Sequence, residues 1–425
     1  MLLQVIETER FLLRWFHHVT CNPTRPSVFN GKQRYVGRTW LLNDQGTRST
    51  FSNSSSRKAA QTRPKKILFF GTDDFSLPTL KGIHEWVQYG SVQNQVVEKI
   101  GEDCEKQTVM GKLEVCTSQM KHLIQPVKVY AEQENLIVRP WPPDPSVIKR
   151  EGFDLGVIAS FGHLIPKKII EAFPLGMLNV HASILPRWRG ASPIIHAIMA
   201  GDKITGISIM EIEPHHFDIG QVIASESIQI GCDQTNEELT QILAKLGADL
   251  MVKVLKDLEF YRHNSLPQDK SKVCYAPVID KSLYNIDWNC STSRDVYNKS
   301  RALSGSGKLY STWKDTDVKV MFSDCIKPDI VDALHIKLED EIDVKPGRVV
   351  YVKTRQKNST DDPPSNKNME TKRYLCVKCK SGWIAFANFY YGSHKIISAL
   401  EYFNGYISRH RTRPQYFVHK NTYLS

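Results

Sequence analysis

The 425-residue sequence contains no run of 18 apolar residues, so it predicts no transmembrane helix and no membrane partner. Its nine cysteines are odd in number and irregularly spaced, which argues against a disulfide framework. Cys376 and Cys379 form the only CxxC pair, whereas a zinc site needs four ligands. We therefore expect ordinary buried thiols in a reducing compartment.

Two other motifs are missing. A dinucleotide-binding turn needs three glycines in a GxGxxG pattern, but the first strand-to-helix turn, Gly71-Thr-Asp-Asp-Phe75, has one. A single glycine at that point is normal for any doubly wound sheet, so a dinucleotide is not indicated. His215 and His216 are adjacent, but their spacing to other histidines, cysteines and acids matches no metal-ligand pattern. We expect no bound metal.

Charge is unevenly distributed along the chain. Basic residues exceed acidic ones by seven in residues 1–63 and by ten in residues 270–425, whereas residues 64–269 have six more acids than bases. A basic C-terminal third indicates a polyanionic partner, nucleic acid first. A solvated lysine-rich surface is the alternative, and charge alone does not choose between them.

Residues 1–63 have a composition of their own. They contain eight arginines, thirteen serines and threonines and only three acids. This composition is typical of a mitochondrial transit segment, although Glu7 and Glu9 are unusual in one. A disordered tail is the alternative. No long apolar stretch followed by a small-residue cleavage site is present, which argues against a secretory signal.

Residues 64–262 alternate short apolar runs with helical patterns, which predicts an α/β domain with an open parallel sheet. The predicted strands are Lys66–Phe70, Leu155–Ala159, Met177–Val180, Gly206–Met210 and Val222–Ile230. Predicted helices begin at Ser76, cover Pro166–Ala172 and Pro193–Met199, and run from the capping box at Thr235 to about Phe260. Residues 88–112 read as a charged insertion. Residues 263–283 read as a linker, and the short strands of residues 284–425 predict a small β-barrel.

Three side chains could form one catalytic site. Asn179 and His181 lie at the carboxyl end of a predicted strand, where open α/β sheets bind ligands, and residues two apart share one side of a strand. Asp218 lies in a turn between two later strands. If that turn folds over the sheet end, Asp218 orients the imidazole of His181. Otherwise His181 is a structural histidine and Asp218 a turn residue that bonds its own backbone.

The loop after His181 contains Arg187-Trp188-Arg189. These side chains could contact a phosphate or stack on a base. They could equally hold the loop in shape by hydrogen bonds within the protein.

These segments together resemble the 10-formyltetrahydrofolate-dependent formyltransferases, and among them the mitochondrial methionyl-tRNA formyltransferases. The resemblance runs from about Lys66 to Phe260 and continues more weakly into the C-terminal part. It rests on the first-turn sequence 71–75 together with Gln125–Tyr130, Ser160–Gly162, Asn179–Gly190, Gly201-Asp202, Thr205–Met210 and Asp218–Gly220.

The resemblance implies a Rossmann-like formyltransferase domain at 64–262, the linker at 263–283 and an OB-like tRNA-binding barrel at 284–425. By position, Asn179, His181 and Asp218 match the family's catalytic residues. Ser183, Ile184, Leu185 and Pro186 match its folate-binding segment. The implied reaction transfers the formyl group of 10-formyltetrahydrofolate to the α-amine of methionyl-tRNA in the mitochondrial matrix, without a metal. We expect a monomer.

The sequence departs from the family pattern in places. Asp73 replaces the usual proline, Ala182 a glycine or proline, and His216 a small or apolar residue. The segment between Cys116 and Gln125 is short, with only Lys121 and His122 as basic residues, whereas bacterial relatives have a basic, glycine-rich loop there. How the tRNA is selected is therefore left open.

Other functions are compatible with part of this pattern. Glycinamide ribonucleotide formyltransferases use the same three residues but lack a second basic domain. The lack of a second basic domain also argues, less strongly, against formyltetrahydrofolate hydrolysis and amino-sugar formylation. An RNA-binding protein with an inactive enzyme fold would not need all three residues.

Overall fold

The computed structural model describes residues 64–100, 112–118, 125–313, 318–334, 344–357, 369–391, 396–408 and 414–419. Within these, only the backbone is described for residues 89–100, 355–357, 369–370 and 391. The predicted transit segment, part of the predicted insertion (101–111) and the basic candidates Lys121 and His122 lie outside the described residues.

The first part of the chain is built on a seven-stranded sheet in the order β3-β2-β1-β4-β5-β6-β7. The strands are β1 (Lys66–Phe70), β2 (Lys112–Thr117), β3 (Val138–Pro140), β4 (Leu155–Ala159), β5 (Met177–His181), β6 (Ile204–Glu211) and β7 (Val222–Gln229). The helices are α1 (Leu77–Ile100), α2 (Pro126–Gln133), α3 (Pro145–Arg150), α4 (Lys167–Ile170), α5 (Pro193–Met199), α6 (Asn236–Lys256) and α7 (Leu258–His263). The predicted α/β class is confirmed.

The sheet is mixed rather than wholly parallel. Strands β1 to β5 pair in parallel, but β6 is antiparallel to β5, and β7 is antiparallel to β6. The segment between β6 and β7, residues 212–221, contains no helix. Because a parallel crossover needs about a dozen residues and usually a helix, this connection folds as a hairpin. The expectation of a parallel sheet is thus correct for β1–β5 and wrong for the two pairings of β6, which runs opposite to β5 and β7.

The predicted start of α6 is confirmed, whereas the ends of α6 and α1 differ from the predictions. Thr235 and Glu238 form the predicted capping box at the start of α6. The helix ends earlier than expected because Asp257 leaves the helical conformation and its side chain accepts the Phe260 N–H to start α7. Helix α1 continues to Ile100, so the first half of the predicted insertion is helical.

Strand β1 shows why the central strands are continuously apolar. Ile67 and Phe69 belong to the core cluster that includes residues of α1 and α6, whereas Leu68 and Phe70 belong to a second cluster that includes residues of α3 and α4. Successive side chains of a strand point to opposite faces, and both faces are covered here. Burial on both sides fixes the sheet and therefore the positions of the loops at its carboxyl edge.

The second part of the chain forms a small antiparallel barrel, as predicted. Its strands are β8 (Tyr310–Trp313), β9 (Lys319–Ile326), β10 (Val349–Lys357), β11 (Met369–Lys378), β12 (Trp383–Tyr391), β13 (Ile396–Ser398) and β14 (Phe417–Val418). Its helices are α8 (Ser293–Ala302), α9 (Pro328–Asp332) and α10 (Ala399–Tyr402), followed by a π-helix at Phe403–Ile407. The strand order is β10-β11-β12-β9-β8-β14. Hydrogen bonds from Val349 N to Gln415 O (2.9 Å) and from Phe417 N to Gly347 O (2.9 Å) return to β10 and close the sheet.

The CxxC cysteines are core residues of this barrel. The side chains of Cys376 and Cys379 are fully buried, and burial raises the pKa of each thiol to about 12. The prediction of buried thiols is confirmed at these two positions.

Within the described residues, no group of three or more His, Cys, Asp or Glu side chains is arranged to hold a metal ion. None of the described helices is long and apolar enough to cross a membrane.

Polar contacts join the barrel to the first part of the chain near the loop that precedes α6. Arg301 of α8 donates to Gln234 O (2.9 Å), and Tyr297 of the same helix donates to Asp233 Oδ1 (3.0 Å). Lys327 forms an ion pair with Asp233 Oδ2 (2.8 Å). Burial opposes ionisation of Asp233, but hydrogen bonds from Lys327 and Tyr297 outweigh it, so the pKa of this carboxyl group is lowered. Asp233 thus links the loop before α6 to the barrel through an ion pair with Lys327 and a hydrogen bond from Tyr297 of α8.

Replacing Asp233 with Asn should reduce stability slightly, and the reduction should disappear in acid. Because the pKa of Asp233 is lower in the folded state, its stabilisation is present above the unfolded pKa and is lost as the pH falls through the folded pKa. The side chain is 52% exposed, so we expect less than about 1 kcal/mol at pH 7. Urea unfolding at pH 7 and in acid measures the difference. Asp249→Asn, which removes an exposed pair with Lys245 inside α6, is the matched control.

Candidate active site

A cavity of about 540 Å³ opens at the carboxyl ends of the central strands. It is lined by Asp73 after β1, by Ser160 to Ile165 after β4, and by the end of β5. Strand order reverses at β1, which lies between β2 and β4. Open α/β sheets bind ligands outside the carboxyl ends at such a point. The cavity therefore lies where the topology predicts a ligand site.

Asn179 and His181 both line this cavity from β5, as their spacing predicts. Their strand is held on both sides, because Asn179 pairs in register with Met210 on one side and with Ile158 on the other. Among the residues that the structure describes, none forms a hydrogen bond with the Asn179 side chain. Its amide is thus available to a ligand.

The His181 ring is buried and oriented by the backbone. It is 5% exposed, and its Nε2 lies 2.9 Å from the carbonyl oxygen of Trp188. A carbonyl only accepts, so Nε2 carries a proton and donates it. The other nitrogen, Nδ1, lies 3.7 Å from Asp218 Oδ1. The ring therefore turns Nδ1 toward the carboxylate, and a proton gained by this ring resides on Nδ1.

Asp218 reaches the cavity from the β6–β7 turn, which folds over the sheet end. It is 8% exposed, and its Oδ2 accepts the Gly190 N–H at 2.8 Å. The 3.7 Å separation from His181 is too long for a hydrogen bond, so the carboxylate acts on the ring by charge or through a bridging water. The structure thus brings Asn179, His181 and Asp218 to one cavity.

The loop that follows β5 is held by side chains within the protein. Arg187 donates to both oxygens of Asp202 (2.8 and 2.7 Å), and the Trp188 indole N–H donates to Asp202 at 2.8 Å. Arg189 donates twice to Gln268 Oε1. Of the two interpretations of Arg187-Trp188-Arg189, the structure favours the one in which these residues shape the loop.

The predicted folate-binding segment is placed beside the cavity and does not line it. Ser183 is fully buried, and its hydroxyl donates to Arg187 O at 2.7 Å. Leu185 N donates to Ser208 Oγ at 3.1 Å, and the Leu185–Pro186 peptide bond is cis. Ile184 and Pro186 are half-buried. Ser183, Leu185 and Pro186 thus shape the loop, and the assignment of all four residues to folate stays a prediction.

Sequence reasoning missed most of the cavity wall. Ser160, which has a positive φ of 42°, donates a hydrogen bond to the carboxylate of Asp73. Asp73 also accepts the Ser76 N–H at 3.0 Å, so it ties together the turns after β1 and β4. The rest of the wall is largely apolar: Phe75, Ile158, Phe161, Leu164, Ile165, Ile194, Ile195, Met210, Ile212 and Phe217. The sequence marked only part of this wall, through the segments 71–75, Ser160–Gly162 and Thr205–Met210 that carry the family resemblance.

Comparison with known proteins places the chain in a family. Residues 66–255 match the model of the formyl transferase family, and residues 278–407 match that of the formyl transferase C-terminal domain. Among solved structures, a sugar N-formyltransferase from a Shewanella species is 19% identical, with a TM-score of 0.46, and the match covers 60% of this chain and 95% of that one.

Curated relatives extend the match over most of the chain. Mitochondrial methionyl-tRNA formyltransferase of Mus musculus is 34% identical over 81% of this chain and 79% of the relative. Its counterpart in Rattus norvegicus is 31% identical over 91% of this chain and 85% of the relative, and that of Homo sapiens is 32% identical over 81% and 78%. The chain therefore belongs to the methionyl-tRNA formyltransferase family, in its mitochondrial form.

Proposed function

We propose that this protein transfers the formyl group of 10-formyltetrahydrofolate to the α-amino group of methionyl-tRNA in the mitochondrial matrix. The product is N-formylmethionyl-tRNA for initiation of mitochondrial translation. The observation that carries the proposal is the convergence of Asn179, His181 and Asp218 on one cavity. An amide, an imidazole and a carboxylate are the groups that formyl transfer to an amine requires.

The folate co-substrate takes the apolar part of the cavity. A volume of about 540 Å³ is in the range of pockets that enclose drug-sized ligands. Phe161, Ile165 and Ile212 supply apolar contacts for an aromatic bicycle, and the backbone of the turn after β4 supplies polar groups. Ser183 to Pro186 support this site by fixing the loop after β5. The formyl group then lies toward Asn179 and His181 at the strand end.

The transition state is stabilised by two donors. When the α-amine attacks the formyl carbon, the carbonyl oxygen becomes an oxyanion. The Asn179 amide, which has no partner among the described residues, donates to this oxygen. Protonated His181 donates from Nδ1, because its Nε2 is already engaged with Trp188. The His181 ring is held by Trp188 and the Asn179 backbone is paired on both sides before the substrate binds, so both donors start close to the reacting group.

Asp218 completes the proton transfers. The attacking amine becomes cationic and must lose a proton, while N10 of the folate gains one as the C–N bond breaks. The Asp218 carboxylate stabilises the imidazolium at 3.7 Å, accepts the amine proton directly or through water, and returns it to N10 as the bond between N10 and the formyl carbon breaks. The Gly190 N–H holds the other carboxylate oxygen, so Oδ1 faces the reaction.

The tRNA is bound by the C-terminal barrel. We retain the division into a transit segment (1–63), a formyltransferase domain (64–262), a linker (263–283) and a tRNA-binding domain (284–425). The excess of ten basic residues in 270–425 favours a polyanion. The contacts of Tyr297, Arg301 and Lys327 with the loop before α6 keep the barrel in a fixed position beside the catalytic domain. The enzyme acts as a monomer.

A transfer assay tests the proposal. The full chain is incubated with formyl-labelled 10-formyltetrahydrofolate and methionyl-tRNA, with glycinamide ribonucleotide, an amino sugar nucleotide and water as competing acceptors. We expect label on methionyl-tRNA only, and slower transfer as salt rises because the tRNA contacts are electrostatic. Label on another acceptor, or formate release at the same rate without tRNA, would show that the proposed acceptor is wrong.

A further inference from the structure

We propose that Gln268, held by Arg189, is a positioning residue that keeps the Asp218 carboxylate aimed at His181. The two residues lie outside the three catalytic positions, and Gln268 belongs to the segment that sequence reasoning treats as a linker. The inference rests on the proposed function, because its measured effect is on formyl transfer.

The first contact fixes the orientation of the Gln268 amide. Arg189 is 9% exposed, and its Nε and Nη2 donate to Gln268 Oε1 at 2.9 and 2.7 Å. A guanidinium group can only donate, so the amide oxygen must face it. The amide nitrogen is thereby forced to the opposite side, where it meets the β6–β7 turn.

The second contact fixes the turn that carries Asp218. Both hydrogens of Gln268 Nε2 are used, one toward Asp218 O at 2.9 Å and one toward Gly220 O at 2.8 Å. Asp218 has a φ of 56°, in the left-handed region that costs a non-glycine residue on the order of 1 kcal/mol. The two hydrogen bonds offset this strain and hold the turn folded over the sheet end.

The third contact closes the network on the carboxylate itself. Gly190 follows Arg189 directly in the chain, and its N–H donates to Asp218 Oδ2 at 2.8 Å. The Arg189 backbone is fixed in turn, since its N–H donates to Cys274 O (2.8 Å) and its carbonyl accepts from Ala276 N (2.7 Å). The segment 268–276 thus links the loop after β5 to the turn of Asp218. The network thus holds Asp218 at its backbone carbonyl, through Gln268, and at one carboxylate oxygen, through the Gly190 N–H.

Gln268→Glu separates this role from simple packing. Glutamate keeps a partner for Arg189, but its oxygens cannot donate to the Asp218 and Gly220 carbonyls. We expect kcat to fall on the order of 100-fold, since a displacement of about 1 Å of a catalytic group has an effect of that size. The KM for both substrates should stay within about twofold of wild type, because neither residue lines the cavity.

Two comparisons keep the result interpretable. Gln221→Glu adds the same charge three residues from Asp218, at an exposed side chain whose amide oxygen accepts from Ser265 Oγ, and should leave kcat unchanged. The double variant Arg189→Met/Gln268→Met removes the buried cation together with its partner, so it should still fold, with a Tm lowered by the loss of the two hydrogen bonds to the turn, and should show the same loss of kcat.

The outcomes are distinct. If the wild-type protein has no transfer activity, the proposed function is wrong, and this result is distinct from a failure of the positioning role of Gln268. Active wild type with a Gln268→Glu kcat within threefold would overturn the positioning role. The role would also be overturned if the loss of activity matched a loss of folate-binding stoichiometry, because that pattern reports misfolded protein. A reduced kcat with full stoichiometry and unchanged KM supports it.

Discussion

His181→Ala should lower the turnover number of formyl transfer about 1,000-fold while tRNA affinity stays within twofold of wild type. General acid–base and oxyanion donors of this kind contribute about 10²- to 10⁴-fold each. The proposed role of His181 is to stabilise the oxyanion as a charged donor, which places the expected loss within that range. The tRNA contacts are proposed for the barrel, so removing one ring from the cavity should not disturb them.

Single-turnover kinetics with preformed methionyl-tRNA measure this loss without interference from product release. His84→Ala is the matched control, because His84 is also 5% exposed but bonds Tyr130 (3.0 Å) and Gln88 (2.9 Å) outside the cavity. That variant should lose stability and keep its turnover number. Equal losses in the two variants would mean that His181 contributes through packing alone.

Much of this site follows from the sequence because strand ends are marked by local signals. The apolar run Met177–Val180 predicts a strand, and its spacing places Asn179 and His181 on one side of it. The capping box likewise fixes the start of α6, because Thr235 and Glu238, three positions apart, hydrogen-bond to each other's backbone N–H. These features depend on residues no more than four positions apart, so a linear pattern contains them.

The rest depends on contacts between distant segments. Gln268 is 50 residues from Asp218 and 79 from Arg189, and no pattern in the linker marks it. Strand β6 runs antiparallel to both β5 and β7, a direction that the sequence pattern does not show, although the pattern does place Asp218 in the turn between β6 and β7. The Asp73 contact with Ser160 spans 87 residues. A single sequence contains the residues of such contacts but not their pairing.

Gly190→Ala should destabilise the protein by about 2 to 6 kcal/mol and also slow the enzyme that remains folded. Gly190 has a φ of 120°, and a Cβ there would lie 2.6 Å from Ala276 O and 3.1 Å from its carbonyl carbon. Backbone atoms cannot rotate aside as a flexible side chain does. Either the loop after β5 or the segment around Ala276 must therefore shift.

The shift matters for catalysis because the Gly190 N–H holds Asp218 Oδ2 at 2.8 Å. Urea unfolding and the turnover number per folate-binding site measure the two effects separately. Gly152→Ala is the matched control, since Gly152 also has a positive φ (70°) but nothing lies within 4 Å of the added Cβ. It should cost only the backbone strain of about 1 to 2 kcal/mol and leave turnover unchanged. Equal destabilisation by the two substitutions would contradict the close approach of Gly190 to Ala276. A larger loss of stability in Gly190→Ala, together with a reduced turnover number, would show that the geometry of this loop sets the orientation of the Asp218 carboxylate.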